Sequence, residues 1–353
     1  MVRTDVQAPV VADRDAAETT DWAALGRVLD NLAATDLVAR GICHRLYDAA
    51  VKLAGAPLTM GAALDLRERI EPGQVVFICT GWPSRSWLMK GLTETDGPAG
   101  AAYLARVIEQ CFGAVPVLIV EESLTRFAET ALRAAGLLVA DIDTAVRSKQ
   151  GLHKASVAAV LPFTTDWDTS IDDSRRLLDQ YVPAAVIAIE MPGANADGEF
   201  HNVTARLVPN DLVAKADSLV NAAMEQGILT VGIGDGGNEL GMGVVHDDVV
   251  RYLPNGAQIA PVAPVDHLVV GSISNWAAVA VGAAIAAITG KAHVLRTVDL
   301  LRITEKISDA GAIDGLTAYL DPKNDGTSPA TSAAFVELVT VAVEMHLSGW
   351  DKG

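Results

Sequence analysis

The sequence predicts a doubly wound α/β fold: a mostly parallel sheet flanked by helices, preceded by an N-terminal helical segment. Three observations predict it. From residue 74 short β-branched apolar runs alternate with Ala/Leu-rich stretches of helical length. The runs are apolar throughout, as strands of a parallel sheet covered on both faces must be. Most of them end in glycine, acid or hydroxyl residues, as loops at the carboxyl ends of such strands do.

The elements follow in order. Residues 1–20 are polar and carry acids, and read as a mobile arm. Residues 21–353 read as one α/β domain with a helical subregion at 21–57. Within Asp21–Leu53, Leu25, Val28, Leu29 and Leu32, then Leu37, Val38 and Ile42, recur at helical spacing. The expected strands are Val75–Cys79, Val115–Val120, Val157–Leu161, Val186–Ile189, Ile228–Ile233 and Leu268–Val270. Five of them end in polar sequences: Thr80-Gly81-Trp82-Pro83, Glu121-Glu122, Glu190-Met191-Pro192-Gly193, Gly234-Asp235-Gly236-Gly237 and Gly271-Ser272-Ile273-Ser274-Asn275. Ligands of open parallel sheets bind beyond the strands' carboxyl ends, so these five ends are expected to converge on one site. Trp276–Thr289 is alanine-rich and shorter than the ~20 residues of a bilayer span, and reads as a buried helix.

Composition narrows the partners. The 353 residues hold 27 Lys and Arg against 44 Asp and Glu, a net charge of −17, which argues against nucleic-acid or anionic-membrane partners. Half of the residues are hydrophobic, enough for a large core and favourable to a homo-oligomer. Cys43, Cys79 and Cys111 are widely spaced without a zinc pattern and read as buried thiols of a reducing compartment. With no export signal at the N-terminus, a cytoplasmic location is expected.

Four motifs carry the chemistry. Gly232–Gly243, GIGDGGNELGMG, has six glycines after an apolar strand. Glycines let backbone N–H groups turn toward an anion, with Asp235, Asn238 and Glu239 beside them. No GK[ST] follows, and Asp235, Asn238 and Glu239 crowd the place of a pyrophosphate, so no nucleotide is expected. Thr80–Gly100 offers the cations Arg85 and Lys90 for a substrate carboxylate, then Glu94, Asp96 and a proline that opens a helix. Ile189–Asn202 places Glu190 at a strand end, where it suits a base or metal ligand, and adds His201 and Asn202. Ser272–Trp276 supplies Ser274 and Asn275, which either bind a ligand or cap the following helix. Asp141-Ile142-Asp143-Thr144 with the Gly234–Glu239 loop also fits, imperfectly, the aspartyl nucleophile and metal loop of haloacid-dehalogenase-type phosphatases.

TGWP, TETDGP, the EMPG and DGEFHN segments, GIGDGGNELGMG, SNW and the pairs Asp314-Gly315 and Asp325-Gly326 occur in an order that resembles the D-glutamate cyclase family, over Leu58–His346. The resemblance implies an α/β fold and a hydro-lyase that converts D-glutamate to 5-oxo-D-proline and water. Such a lactam closure needs a base for the amine, an electrophilic aid at the γ-carboxyl group and an acid for the departing oxygen. The expected catalytic residues are Asp96, Glu190, Asp235, Asn238 and Glu239. Glu190 or Asp96 takes the ammonium proton, and the glycine loop with Asn238 steadies the oxyanion. Asp235 and Glu239 either deliver a proton or hold a divalent cation, magnesium or manganese. Thr80, Gly81, Arg85, Glu94, His201, Asn202, Gly234, Gly236, Gly237, Ser274 and Asn275 are the expected substrate contacts. The alternatives are a family member acting on another small carboxylate, the phosphatase, and a non-catalytic small-molecule binding protein.

Overall fold

A computed structural model of the chain describes residues 21–85, 87–150 and 155–348. The expected arm, residues 1–20, lies outside them. Seven strands form one parallel sheet: β1 (Val75–Thr80), β2 (Val115–Val120), β3 (Leu138–Val139), β4 (Val157–Pro162), β5 (Ala185–Ile189), β8 (Leu229–Gly234) and β9 (His267–Val270), in the order β3-β4-β2-β1-β5-β8-β9. β6 (Phe200–His201) and β7 (Leu207–Val208) form a separate antiparallel pair. Every residue of β1, β2, β5 and β8 is buried, as their continuous apolar sequences require.

Three helices precede the sheet: α1 (Trp22–Ala33), α2 (Cys43–Ala54) and α3 (Leu58–Arg69). Asp21 caps α1 by accepting the Ala24 N–H, and Gly55 ends α2 in the left-handed region. The remaining helices are α4 (Pro98–Phe112), α5 (Thr125–Ala134), α6 (Ile142–Arg147), α7 (Trp167–Tyr181), α8 (Ala216–Glu225), α9 (His246–Tyr252), α10 (Gly256–Ile259), α11 (Ser274–Ile288), α12 (Leu300–Asp309) and α13 (Pro329–Leu347). Pro98 stands at the start of α4, where its missing N–H costs nothing, and Gly113 closes it. α11 is buried along its whole length and packs against α1, α3, α4 and α13. The apolar Trp276–Thr289 stretch is therefore core. α13 is the one described helix long and apolar enough to cross a membrane by length and composition. It lays one face on α1, α11 and α12 and presents Glu337 and Glu344 to Arg296.

Register positions the site. Thr80 pairs with Ile189, Ile189 with Ile233, and Gly234 with Val270, so β1, β5, β8 and β9 end level. β1 and β5 are neighbours whose onward connections leave in opposite directions along the sheet, β1 toward β2 and β5 toward β8; such a switch point leaves a crevice beyond the strand ends.

Two expectations fail here. The Glu121-Glu122 end does not join the others: Glu121 folds back to accept the Ser123 N–H at the start of a 3-10 turn. Asp141 caps α6 by accepting the Thr144 N–H. It follows edge strand β3, five steps from β8 in the sheet, about 24 Å at ~4.8 Å per step. The nucleophile and metal loop of a phosphatase cannot meet across that span, which removes the phosphatase alternative.

The three cysteines are free and buried, and burial raises the thiols of Cys43 and Cys79 to about 12.

Candidate active site

Four of the expected strand ends converge at the N-terminus of α11. The Ser274 N–H donates to Asp96 Oδ2 (3.1 Å) and Asp235 Oδ2 (3.0 Å), and the Asn275 N–H donates to Asp96 Oδ1 (2.8 Å). Asp96 therefore does not cap α4, which it precedes. It caps a helix 178 residues away, where the orphan N–H groups of the first turn and the positive dipole end favour a carboxylate. The Ser274 hydroxyl donates to Glu190 Oε2 at 2.5 Å, so β5, the α4 approach and the β8 loop meet on one turn.

Asn275 locks that turn from inside. Its Oδ1 accepts the N–H groups of Gly97 (3.0 Å) and Gly100 (2.5 Å), and its amide donates to Thr95 O (3.1 Å) and Asn324 Oδ1 (2.7 Å). A Cβ on Gly100 would lie 2.8 Å from Asn275 Cα, so only glycine lets α4 and α11 approach this closely. Asn275 thus supports the site from behind and does not line its cavity.

The cavity, about 100 Å³, is lined by Arg40, Trp82, Ser84, Arg85, Trp87, Glu94, Glu190, Asn202, Val203, Asp235, Asn238, Glu239, Gly315, Leu316 and Asp325. Glu94, Asp96, Glu190, Asp235, Glu239 and Asp325 make six buried or largely buried carboxyl groups at and behind its floor. Burial, then neighbouring carboxylates, hold Glu94, Asp96 and Glu190 well above the usual carboxylate range. Burial and Asp235 likewise raise Glu239 and Asp325 to about 7.

Sequence reading missed Arg40, the main counter-charge. It lies in the α1–α2 loop, more than thirty residues before β1, with no motif around it. Its guanidinium pairs with Asp235 (3.0 Å) and Asp325 (3.2 Å) and donates to Ser272 O. Burial opposes its charge, yet the two aspartates outweigh that and hold its pKa above the ordinary value. Asp314 and Asp325 were noticed only as Asp-Gly pairs. Asp314 organises the 314–326 loop by accepting from Thr317 N–H and hydroxyl and from Gly326 N–H, which holds Asp325 in place. Ile313 joins this loop to the Glu94 segment through a parallel bridge.

The glycine loop differs from its expected use. The Gly236 and Gly237 N–H groups donate to Glu239 Oε1 (2.6 Å) and Oε2 (2.8 Å), so these amides already hold a carboxylate of the chain itself. The loop folds back on β8, and a Cβ on Gly232 would stand 3.0 Å from Leu240 O and 3.1 Å from Gly241 Cα. Backbone packing against its own strand accounts for much of the glycine content. Gly234 lies beneath Glu239, whose Oε2 would be 2.9 Å from an added Cβ.

Of the remaining expected contacts, Arg85 and Glu94 line the cavity and Arg85 donates to Gly315 O (3.1 Å). Asn202 lines it as well, although its Oδ1 is occupied by the turn amides of Thr204 and Arg206. Thr80 is buried beside Gly97 and Glu190, its hydroxyl without a partner among the described residues. Gly81 supports the turn with φ 113. His201 sits behind the cavity, its carbonyl accepting from Asn238 Nδ2. Lys90 is exposed and faces Asp211 at 3.7 Å, so it does not reach the site. Arg85, Glu190 and Asp325 all have positive φ, 54, 44 and 46. Each costs on the order of 1–3 kcal/mol and persists only where surrounding contacts enforce it.

The β6–β7 hairpin forms one cavity wall. Phe200 stacks on Trp167 (5.9 Å between centroids), and buried Lys215 sets its ammonium 4.8 Å from Phe200 and 5.2 Å from Trp167.

Two acid triads have the closeness a metal ion needs, with ligand atoms within 4.8 Å of one another: Asp96, Asp235 and Asp325, and Glu190, Asp235 and Glu239.

The profile of the family described as D-glutamate cyclase-like, C-terminal, matches residues 29–339. The human protein named D-glutamate cyclase, mitochondrial, is 30% identical over 266 residues, 73% of this chain. The chain spans 38% of that relative's length. From Arg40 in the α1–α2 loop to Asp325, the side chains that build the cavity all fall within the matched span, and the chain belongs to the D-glutamate cyclase-like family.

Proposed function

We propose that the chain is a hydro-lyase that closes D-glutamate to 5-oxo-D-proline and water. The observation that carries this reading is Glu190: a buried carboxyl group at the cavity, raised in pKa, aimed by Ser274 and held in a strained backbone.

Lactam closure forms a bond between the amine nitrogen and Cδ and breaks one Cδ–O bond. Two protons leave the ammonium group and two arrive on the departing oxygen, so the site must move protons and keep its charge. Ionised Glu190 accepts the first proton, and its raised pKa makes it a stronger base than an ordinary carboxylate. Glu239, raised to about 7, returns a proton to the leaving oxygen. Arg85 is the one cation lining the cavity, among the described residues, without an acid partner, and it takes the α-carboxylate. Trp82 and Trp87 wall the cavity, and a substrate held between them with its amine and γ-carboxyl group together is favoured to close.

Six carboxyl groups against two guanidinium groups suit a divalent cation, and two features of the donor set fit one. The Glu190–Asp235–Glu239 oxygens converge, and Asn238 Oδ1, buried and lining the same cavity, has no hydrogen-bond partner among the described residues. Glu190, Asp235 and Glu239, all ionised, would hold magnesium or manganese, which would supply electrophilic aid to the γ-carboxyl group; with the ion bound, the proton transfers would fall to Glu94 and Asp325, the other raised carboxyl groups that line the cavity.

Proton NMR of the purified protein with D-glutamate, L-glutamate and each 5-oxoproline, with and without manganese, tests the reading. Lactam formed from the D form, absent in Glu190→Gln, is expected. No interconversion under any metal condition would overturn it.

A further inference from the structure

The two acid triads share Asp235, yet they differ in what already occupies them. In the first, both Asp96 oxygens accept N–H groups of α11, and Arg40 spans Asp235 Oδ2 and Asp325 Oδ2. A guanidinium group thus stands where a metal ion would bridge those aspartates. In the second, among the described residues, the only donors on Glu190 and Glu239 are the Ser274 hydroxyl and two glycine amides, and neither glutamate pairs with a cation. An independent sign of a ligand lies beside this second triad. Asn238, 3% exposed, lines the cavity with its Oδ1 unpartnered among the described residues. A Cβ on Gly236 would lie 2.7 Å from that oxygen and 2.8 Å from Glu239 Oε1, so both oxygens border one small space.

We propose that Arg40 is a built-in cation that fills the Asp96–Asp235–Asp325 triad, so that the chain takes one divalent ion, at Glu190–Asp235–Glu239 with Asn238. The inference rests on the divalent-cation reading given above and fixes its place and number. Arg40 comes from the helical segment before the sheet, so this segment sets how many ions the site holds. It also holds Asp235 by one oxygen, Oδ2, and leaves the other to the second triad. Without Arg40 the first triad would have three acids and only helix amides against them, and would accept a second ion.

Chelator-stripped protein titrated with manganese(II) chloride, followed calorimetrically and by counting bound metal after desalting, decides the matter, with circular dichroism as the fold check. One ion is expected for the wild type and for Arg40→Lys, and two for Arg40→Gln. No bound ion in the wild type overturns the cation reading, and this proposal with it. Two ions in the wild type, or one in folded Arg40→Gln, overturn the role of Arg40 alone. If Arg40→Gln does not fold, Glu239→Gln and Asp325→Asn separate the triads. Manganese affinity is expected to fall roughly tenfold or more in Glu239→Gln and much less in Asp325→Asn. Retention in Glu239→Gln, or loss in Asp325→Asn, refutes the assignment.

Discussion

Replacing Asn275 by alanine removes a side chain that never touches the cavity, yet it tests how the cavity is held together. The amide makes four buried hydrogen bonds, accepting from Gly97 and Gly100 and donating to Thr95 O and Asn324 Oδ1. All four partners lose a buried bond, at about 1–3 kcal/mol for each group left unsatisfied. The space vacated by an amide admits one water, which restores two or three of those bonds, so the net cost is roughly 3–5 kcal/mol. At about 2.1 cal/mol/K per residue, 353 residues have an unfolding entropy near 0.7 kcal/mol/K, and such a loss lowers Tm by roughly 4–7 °C. Differential scanning calorimetry reads the shift. Asn275→Asp keeps the acceptor for both glycine amides but loses both donors and adds an acid near Asp96, and is expected to be no better. Activity should fall in both variants, because Thr95 and Gly97 flank Asp96. A Tm change below about 1 °C in Asn275→Ala would refute the argument that this amide fixes the α4–α11 junction.

Two further predictions concern other parts of the fold. Asp217 accepts the Ala194 N–H from within the core, and burial raises it to about 6 against an ordinary 3.8. A folded-state pKa above the unfolded one means a stabilising contribution that is complete below pH 4 and lost as pH rises through 6. The difference in unfolding free energy between Asp217→Asn and the wild type should therefore shift in favour of the variant by about 3 kcal/mol across that window; a flat difference would contradict it. Gly237 (φ +90) and Gly227 (φ +71) both occupy the left-handed region, but an added Cβ meets Leu253 at 2.5 Å only at Gly237. Alanine should cost about 1–2 kcal/mol at Gly227 and more at Gly237 in denaturation experiments, and equal losses would refute the packing argument.

The strands and the buried helix were legible because continuous apolar runs leave a parallel sheet few alternatives. β3 escaped notice as a strand because two residues at an edge carry no periodicity, and β6–β7 because its two-residue strands are held by the Trp167–Phe200–Lys215 stack. Glu190, Asp235, Glu239 and Ser274 were readable from their place at strand ends, since parallel register brings those ends together. Arg40 was not, because a lone arginine between two helices gives no local sign that it will pair with aspartates nearly 200 and 300 residues away. The glycine loop was recognised as unusual and its purpose misjudged. Sequence shows that glycines allow close approach, and only the fold shows that what approaches is the loop's own backbone and the carboxylate of Glu239.

The most direct test of the central claim uses D-glutamate carrying heavy oxygen in its γ-carboxylate, incubated with wild type and with Asp235→Asn that retains its fold. The wild type should yield 5-oxo-D-proline with one labelled oxygen, the other released to water, and the variant no product above background. No labelled 5-oxo-D-proline from the wild type, or equal turnover by Asp235→Asn, would contradict a dehydrating ring closure run by this carboxylate cluster.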